Sequence, residues 1–267
     1  MNRKRQLIAL AVAAALTDCT VVATPSDGAD PVDDNAGSSP AANTPTPDAS
    51  QGTSLQPAML GFTASNVPAA TPLVTSGDWV FSTQTCGSST VQIDTTKGIV
   101  NGCDPTMQFF SYAAITQSDM SLGSLPAALF VTGKFTIQPG MTVTVVGNLP
   151  LIVLALDDVN IGGLLNGSRG VAGGGIASSA FTKGNGPGGG GPAVAGAGAG
   201  GGGGFCGVGG AGGGNGGMGG ASYGNASDVP LLGGSAGGGA GQNSGTGGGA
   251  VQIVSATSLQ VTGLGVI

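Results

Sequence analysis

Between residues 135 and 166, apolar and polar positions alternate in short runs, and the alternation repeats. Read as FTIQPGMTVTVVGNLP followed by LIVLALDDVNIGGLLN, the stretch is two copies of one 16-residue pattern. Phe135 and Ile137 align with Leu151 and Val153, Val143 and Val145 with Val159 and Ile161, and Gly147 with Gly163. Each copy holds two alternating runs separated by a turn, as short half-buried strands do. A third copy, VQIVSATSLQVTGLGV at 251–266, lies 100 positions beyond the second; Val251, Ile253, Leu259, Val261, Gly263 and Leu264 match Leu151, Val153, Val159, Ile161, Gly163 and Leu164.

A rung with two β-runs, a turn glycine and no helix-period segment is what a β-solenoid requires, because each coil leaves edges that the next coil satisfies. The pattern therefore predicts an all-β protein whose centre is a short parallel β-solenoid (β-helix), with rungs at 130–166 and 250–267. In this register Phe135, Leu151 and Val251 form one inward ladder, Ile137, Val153 and Ile253 a second, and Val145, Ile161 and Val261 a third. A sandwich of the same strands is the competing architecture.

Residues 57–129 read as a small β-rich cap. Asp78 to Ser82 and Thr90 to Asp94 alternate like strands, with Cys86 to Ser89 as a turn region between them. Trp79, Phe81, Phe109, Phe110 and Tyr112 supply most of the aromatic volume and are expected in the core. Cys86 and Cys103 are natural disulfide partners, and their spacing suits a cross-link worth roughly 3 kcal/mol by loop entropy.

Between the second and third copies, at 167–249, lies a glycine-rich low-complexity insertion. Of the 55 glycines, 41 fall between Gly162 and Gly249. Gly recurs at every third position from Gly198 to Gly219, as packed polyproline-II strands would have it. Glycine is so dense there that one phase of three fills readily by chance, and the reading favoured is a mobile surface loop. Such a loop need not break the stack, because closure cost grows only logarithmically with length.

The N-terminus carries a separate message. Arg3, Lys4 and Arg5 precede the apolar run LIALAVAAAL (7–16), which has the length of a signal-peptide core rather than of a membrane span. Residues 1–23 are thus read as an export signal. Leu16-Thr17-Asp18-Cys19 resembles a bacterial lipobox with Cys19 as the lipid anchor, although Asp18 replaces the small residue that pattern wants; ordinary cleavage after Val21-Val22-Ala23 is the alternative. Residues 24–56, rich in Pro, Ser, Thr and Asp, are expected to form a disordered linker. The expected location is the outer membrane, the cell surface or the extracellular space, with membrane contact only through the N-terminal lipid.

Charge and missing residue types narrow the chemistry. All 13 acids are Asp, there is no His, and the net charge is −6. No basic footprint exists for a nucleic-acid backbone. Without His, the commonest proton-transfer group and metal ligand is gone. No cofactor is expected, and a zinc or calcium site lacks its ligand set. Cys206 has no obvious mate, so a free thiol and a bridge to another chain both stay open. The weak catalytic candidates are Asp157 and Asp158, the one adjacent acid pair in the folded part; their place between two β-runs also suits a plain polar corner.

The rungs from 128 to 267, with PLIVLALDDVNIGG interrupted by GGGxGG tracts, resemble the β-helix domains of secreted bacterial proteins of the pectin-lyase-like class. They are also similar to glycine-rich cell-surface proteins and lipoproteins of myxobacteria and their relatives. In a polygalacturonase-like enzyme the resemblance would make Asp157 and Asp158 acid and base, but the Gly-His-Gly motif and basic clamp of those enzymes are missing here. The function expected is a non-enzymatic structural or adhesion protein, with polysaccharide or another cell-surface protein as partner. The alternative is a carbohydrate-active β-helix enzyme or a degenerate carbohydrate-binding relative. A flat Thr ladder for sugar or ice would have Thr142, Thr144 and Thr262, too few stacked positions for such a surface. The last rung ends without a capping helix, Pro or charge, which predicts edge-to-edge association unless the glycine loop covers that edge.

Overall fold

The computed structural model describes the backbone of Leu10–Ala13 and residues 60–262, apart from 61, 63, 75–76, 105, 107–108, 120–121, 168–169, 180, 195–197 and 242–243. The expectations for Cys19, for the linker at 24–56 and for Gly263 and Leu264 lie outside the described residues.

Strands dominate the regular structure: β1 (Leu10–Ala13), β2 (Trp79–Phe81), β3 (Thr90–Asp94), β4 (Ile99–Asn101), β5 (Phe110–Asp119), β6 (Gly123–Thr132), β7 (Phe135–Ile137), β8 (Thr142–Val146), β9 (Leu151–Ala155), β10 (Val159–Ile161), β11 (Leu164–Asn166), β12 (Ala250–Ser255) and β13 (Leu259–Val261). Among the described residues the single helix is α1 (Thr83–Cys86), one turn that occupies part of the expected turn at 86–89. Ser82 caps it by accepting from Thr85 N–H, and Gly87 ends it at φ +64°, a conformation that glycine adopts without steric cost.

The strands form three sheets. The first has the order β13-β10-β7-β2, the second β11-β8-β3-β4, and the third β1-β12-β9-β6-β5. All pairs in the first sheet are parallel, as are β3-β8-β11 and β6-β9-β12. β4, β5 and β1 are antiparallel additions at sheet edges. From β2 onward, leaving aside β4 and β5, the chain visits first, second and third sheet in turn, and repeats that order until β13.

This cycle corrects the register read from the pattern. Phe135 pairs with Val159 and Trp79, not with Leu151. Val145 pairs with Ile93, not with Ile161. One circuit uses three strands, so aligning copies at 16 residues places strands of different sheets side by side. The 100-position offset is different, because it returns to the same sheet: Leu151 stands opposite Val251, Val153 opposite Ile253, and Ile161 opposite Val261. Val261 nevertheless is 41% exposed instead of buried, since β13 is the outermost strand of its sheet. The paired glycines also differ in role. Gly147 needs its φ of +98°, whereas a Cβ on Gly163 would lie 2.5 Å from the Met141 carbonyl oxygen.

Two apolar cores result. The inner one, enclosed by the three sheets, takes the alternate residues Val91, Ile93, Phe135, Ile137, Val143, Val145, Val159 and Ile161. Trp79 lies at its centre, with ring centroids 5.4 Å from Phe130 and 5.2 Å from Phe135. Phe110 and Tyr112 pack against it, but Phe109 is 38% exposed, contrary to expectation. The second core lies on the other face of the third sheet, where Leu129, Val131, Ile152, Leu154 and Val254 meet Leu73, Ile115 and Leu231. This explains LIVLA at β9: a strand buried on both faces reads as a continuous apolar run instead of an alternation.

The glycine-rich segment is not a mobile loop. Its backbone hydrogen bonds run between lanes: Gly201 N–H donates to Gly191, Gly191 to Met218, Gly220 to Gly202, and Gly238 to Gly201. Burial recurs every third residue at Gly201 and Gly204 and at Gly217 and Gly220. At Gly220 an added Cβ would collide with the Gly188 carbonyl. Glycine is required there by close approach of backbone to backbone. Gln117 ties the segment to β5, accepting from Leu231 N–H at 2.7 Å and donating to Leu231 O at 3.3 Å.

Candidate functional site

Asp157 and Asp158 occupy the corner between β9 and β10. Asp158 accepts from the hydroxyls of Thr257 and Ser258, each at 2.6 Å. Thr257 also reaches Asp157 at 3.2 Å, and Lys134 Nζ lies 3.7 Å from the second Asp157 oxygen. Those hydroxyls hold the Asp158 carboxyl below its usual range. A general acid needs the reverse shift, so this geometry suits bracing of stacked corners better than proton transfer.

Cys86 and Cys103 are joined by a disulfide. It fastens the end of α1 to the segment following β4, and both cysteines pack against the inner core. Cys206 is also disulfide-bonded, which removes the free-thiol alternative. Among the described residues no group of three or more His, Cys, Asp or Glu comes together as metal ligands, and no helix is long and apolar enough to cross a membrane.

The second sheet supplies a surface that sequence reasoning missed. Val91, Ile93, Val100, Val143, Val145 and Leu165 point into the inner core, so the intervening residues face outward. Pairing then places Asn101 beside Gln92, Gln92 beside Thr144, and Thr144 beside Asn166. This row of amide and hydroxyl side chains crosses four strands, with Thr90 beside Thr142 in the row next to it. Gln92 and Asn101 are exposed, and Thr144 and Asn166 are half-buried. Thr142 and Thr144 were visible as candidates, but their neighbours come from segments distant in sequence. Thr262 follows β13 of the first sheet and so stands apart from them.

Concavities occur both within the glycine-rich segment and where it meets the residues around Asn66 and Gln117. The larger, about 720 Å³, is walled by glycine backbone from four lanes, with Phe205, Val208, Ser235 and Thr246 among its few side chains. The smaller, about 270 Å³, lies between Asn66, Gln117 and Pro230. Asn66 donates to the Asp228 carbonyl at 2.9 Å beside it. Asp228 is 9% exposed, and burial pushes its carboxyl above the usual range.

Compared with family models, curated proteins and solved structures, the chain matches none.

Proposed function

We propose that the protein is an exported, surface-exposed, non-enzymatic interaction protein, built on a short parallel β-solenoid, that holds a neutral extended polysaccharide along the polar row of the second sheet. The observation that carries this reading is the row Asn101, Gln92, Thr144 and Asn166. Neighbouring strands lie about 4.8 Å apart, a spacing comparable with one sugar of an extended chain laid across them. Amide groups both donate and accept hydrogen bonds, as sugar hydroxyls do, and none of these four side chains carries a charge. The cyclic order of strands through three sheets supports the solenoid and the resemblance to β-helix proteins. The apolar leader and the Cys86–Cys103 bridge support export to an oxidising compartment.

The test is a binding panel of neutral and acidic polysaccharides, run with a Gln92→Ala/Thr144→Ala double variant. Binding to a neutral member, weakened at least about tenfold (about 1.4 kcal/mol) in the variant, is the expected result. Equal binding by both proteins, or binding to none of the panel, overturns the reading. The enzyme alternative has one observation in its favour, the convergence of Lys134 on Asp157. Release of new sugar ends that Asp157→Asn abolishes would establish it.

A further inference from the structure

β12 is the last of the parallel strands in the third sheet, and its outer edge is already taken. Leu10 to Ala13 pair with it antiparallel, Leu10 opposite Ile253 and Ala13 opposite Ala250. The sequence pattern predicts edge-to-edge association at this end unless the glycine-rich segment covers it, but the strand that lies on the edge comes from the apolar run of the leader. The glycine-rich segment instead meets the start of β12, where Ala250 N–H donates to Ala172.

We propose that Leu10–Ala13 is a removable cap, and that its loss frees the β12 edge to pair with β12 of a second copy. The proposal rests on the export reading, in which the leader is cut away. All six residues of β12 are buried, and the strand contains neither a charge nor a proline. Natural edges are protected by such residues; here nothing in β12 itself discourages pairing. β1 shows that an antiparallel strand is accepted at this edge. Two β12 strands related by a two-fold axis also run antiparallel, and each presents to the other what it receives. Val261 on β13, the outermost strand of the adjoining sheet, is 41% exposed and adds apolar surface beside the edge.

The experiment compares the unprocessed chain, the processed protein recovered from an exporting host, and an unprocessed Ala11→Pro/Ala13→Pro variant. Proline at two alternate positions of β1 disfavours its pairing with β12 and leaves every residue of the other strands unchanged. Mass by light scattering is followed through serial dilution, with hydrogen exchange at 250–255. The unprocessed chain should be a monomer with protected β12 amides. The processed protein and the proline variant should double in mass, with protection at 250–255 that fades on dilution. A monomer at every concentration for both, or a dimer that forms equally with β1 intact, overturns the proposal. N-terminal sequencing separates the two levels: if the exported protein retains Leu10, the processing reading fails, while the proline variant still decides the edge.

Discussion

Ser258 donates its hydroxyl to Asp158 at 2.6 Å, joining the corner before β13 to the corner before β10 across 100 residues. Thr257 donates to the same oxygen. These bonds act on the ionised carboxylate, so the folded protein holds Asp158 below the ordinary aspartate value of 3.8. The sign follows by linkage: the stabilisation is present above 3.8 and is lost as pH falls through that value toward the lowered one. Asp158→Asn should therefore flatten the acid limb of a melting-temperature profile below about pH 4. Ser258→Ala should do so partially. Identical acid limbs for wild type and Asp158→Asn would count against the corner as a pH-dependent brace.

Phe135 is fully buried between the strands of Trp79 and Val159. Truncation to Ala should cost about 3–5 kcal/mol, as for other buried aromatics. Val261→Ala removes a side chain that is 41% exposed, and should change stability by no more than about 0.5 kcal/mol in the capped chain. Denaturant titration followed by Trp79 fluorescence measures both. Comparable losses would mean that the end strand is packed as firmly as the centre.

How much of this was legible depends on what each feature requires. The Leu151–Val251 pairing could be read because a 100-position offset joins strands of one sheet. The Phe135–Val159 pairing could not, because β7 and β8 alternate alike and apolar periodicity does not say which sheet a strand joins. Cys86 and Cys103 were legible from spacing and compartment alone. The polar row required register between segments as distant as Asn101 and Asn166, which no local pattern contains. Glycine's three-residue period was present in the sequence, but what gives it meaning is the carbonyl oxygen facing each interior Cα, and that is visible only once the lanes are assembled.

Those lanes make a sharp distinction among glycines. At Gly220 an added Cβ collides with the Gly188 carbonyl, whereas at Gly210 nothing lies within 4 Å. Gly220→Ala should destabilise the segment by at least about 1–3 kcal/mol, the range of overpacked interiors. Gly210→Ala should be tolerated. Hydrogen exchange at the donors between lanes, Gly191, Gly201 and Gly238, reads the difference directly. Equal exchange in the two variants would return the segment to a loose loop.

Asp228 lies where the glycine-rich segment meets residue Asn66, with a positive φ of +49° that Asn also tolerates. Burial alone raises its carboxyl above 3.8, because the charged form has lost water without gaining a compensating cation. The folded state therefore binds a proton more tightly than the unfolded chain, and stability falls as pH rises from 3.8 through the raised value. Above that window the ionised carboxylate is a standing cost. Asp228→Asn removes the charge and leaves the Asp228 backbone carbonyl in place to accept from Asn66. The variant should melt at a higher temperature than wild type at pH 7, and the gain should vanish below about pH 4, where the wild-type side chain is neutral as well. Calorimetry across that range tests the sign: a variant less stable at pH 7 would mean that the carboxylate has a partner in solution worth more than its burial.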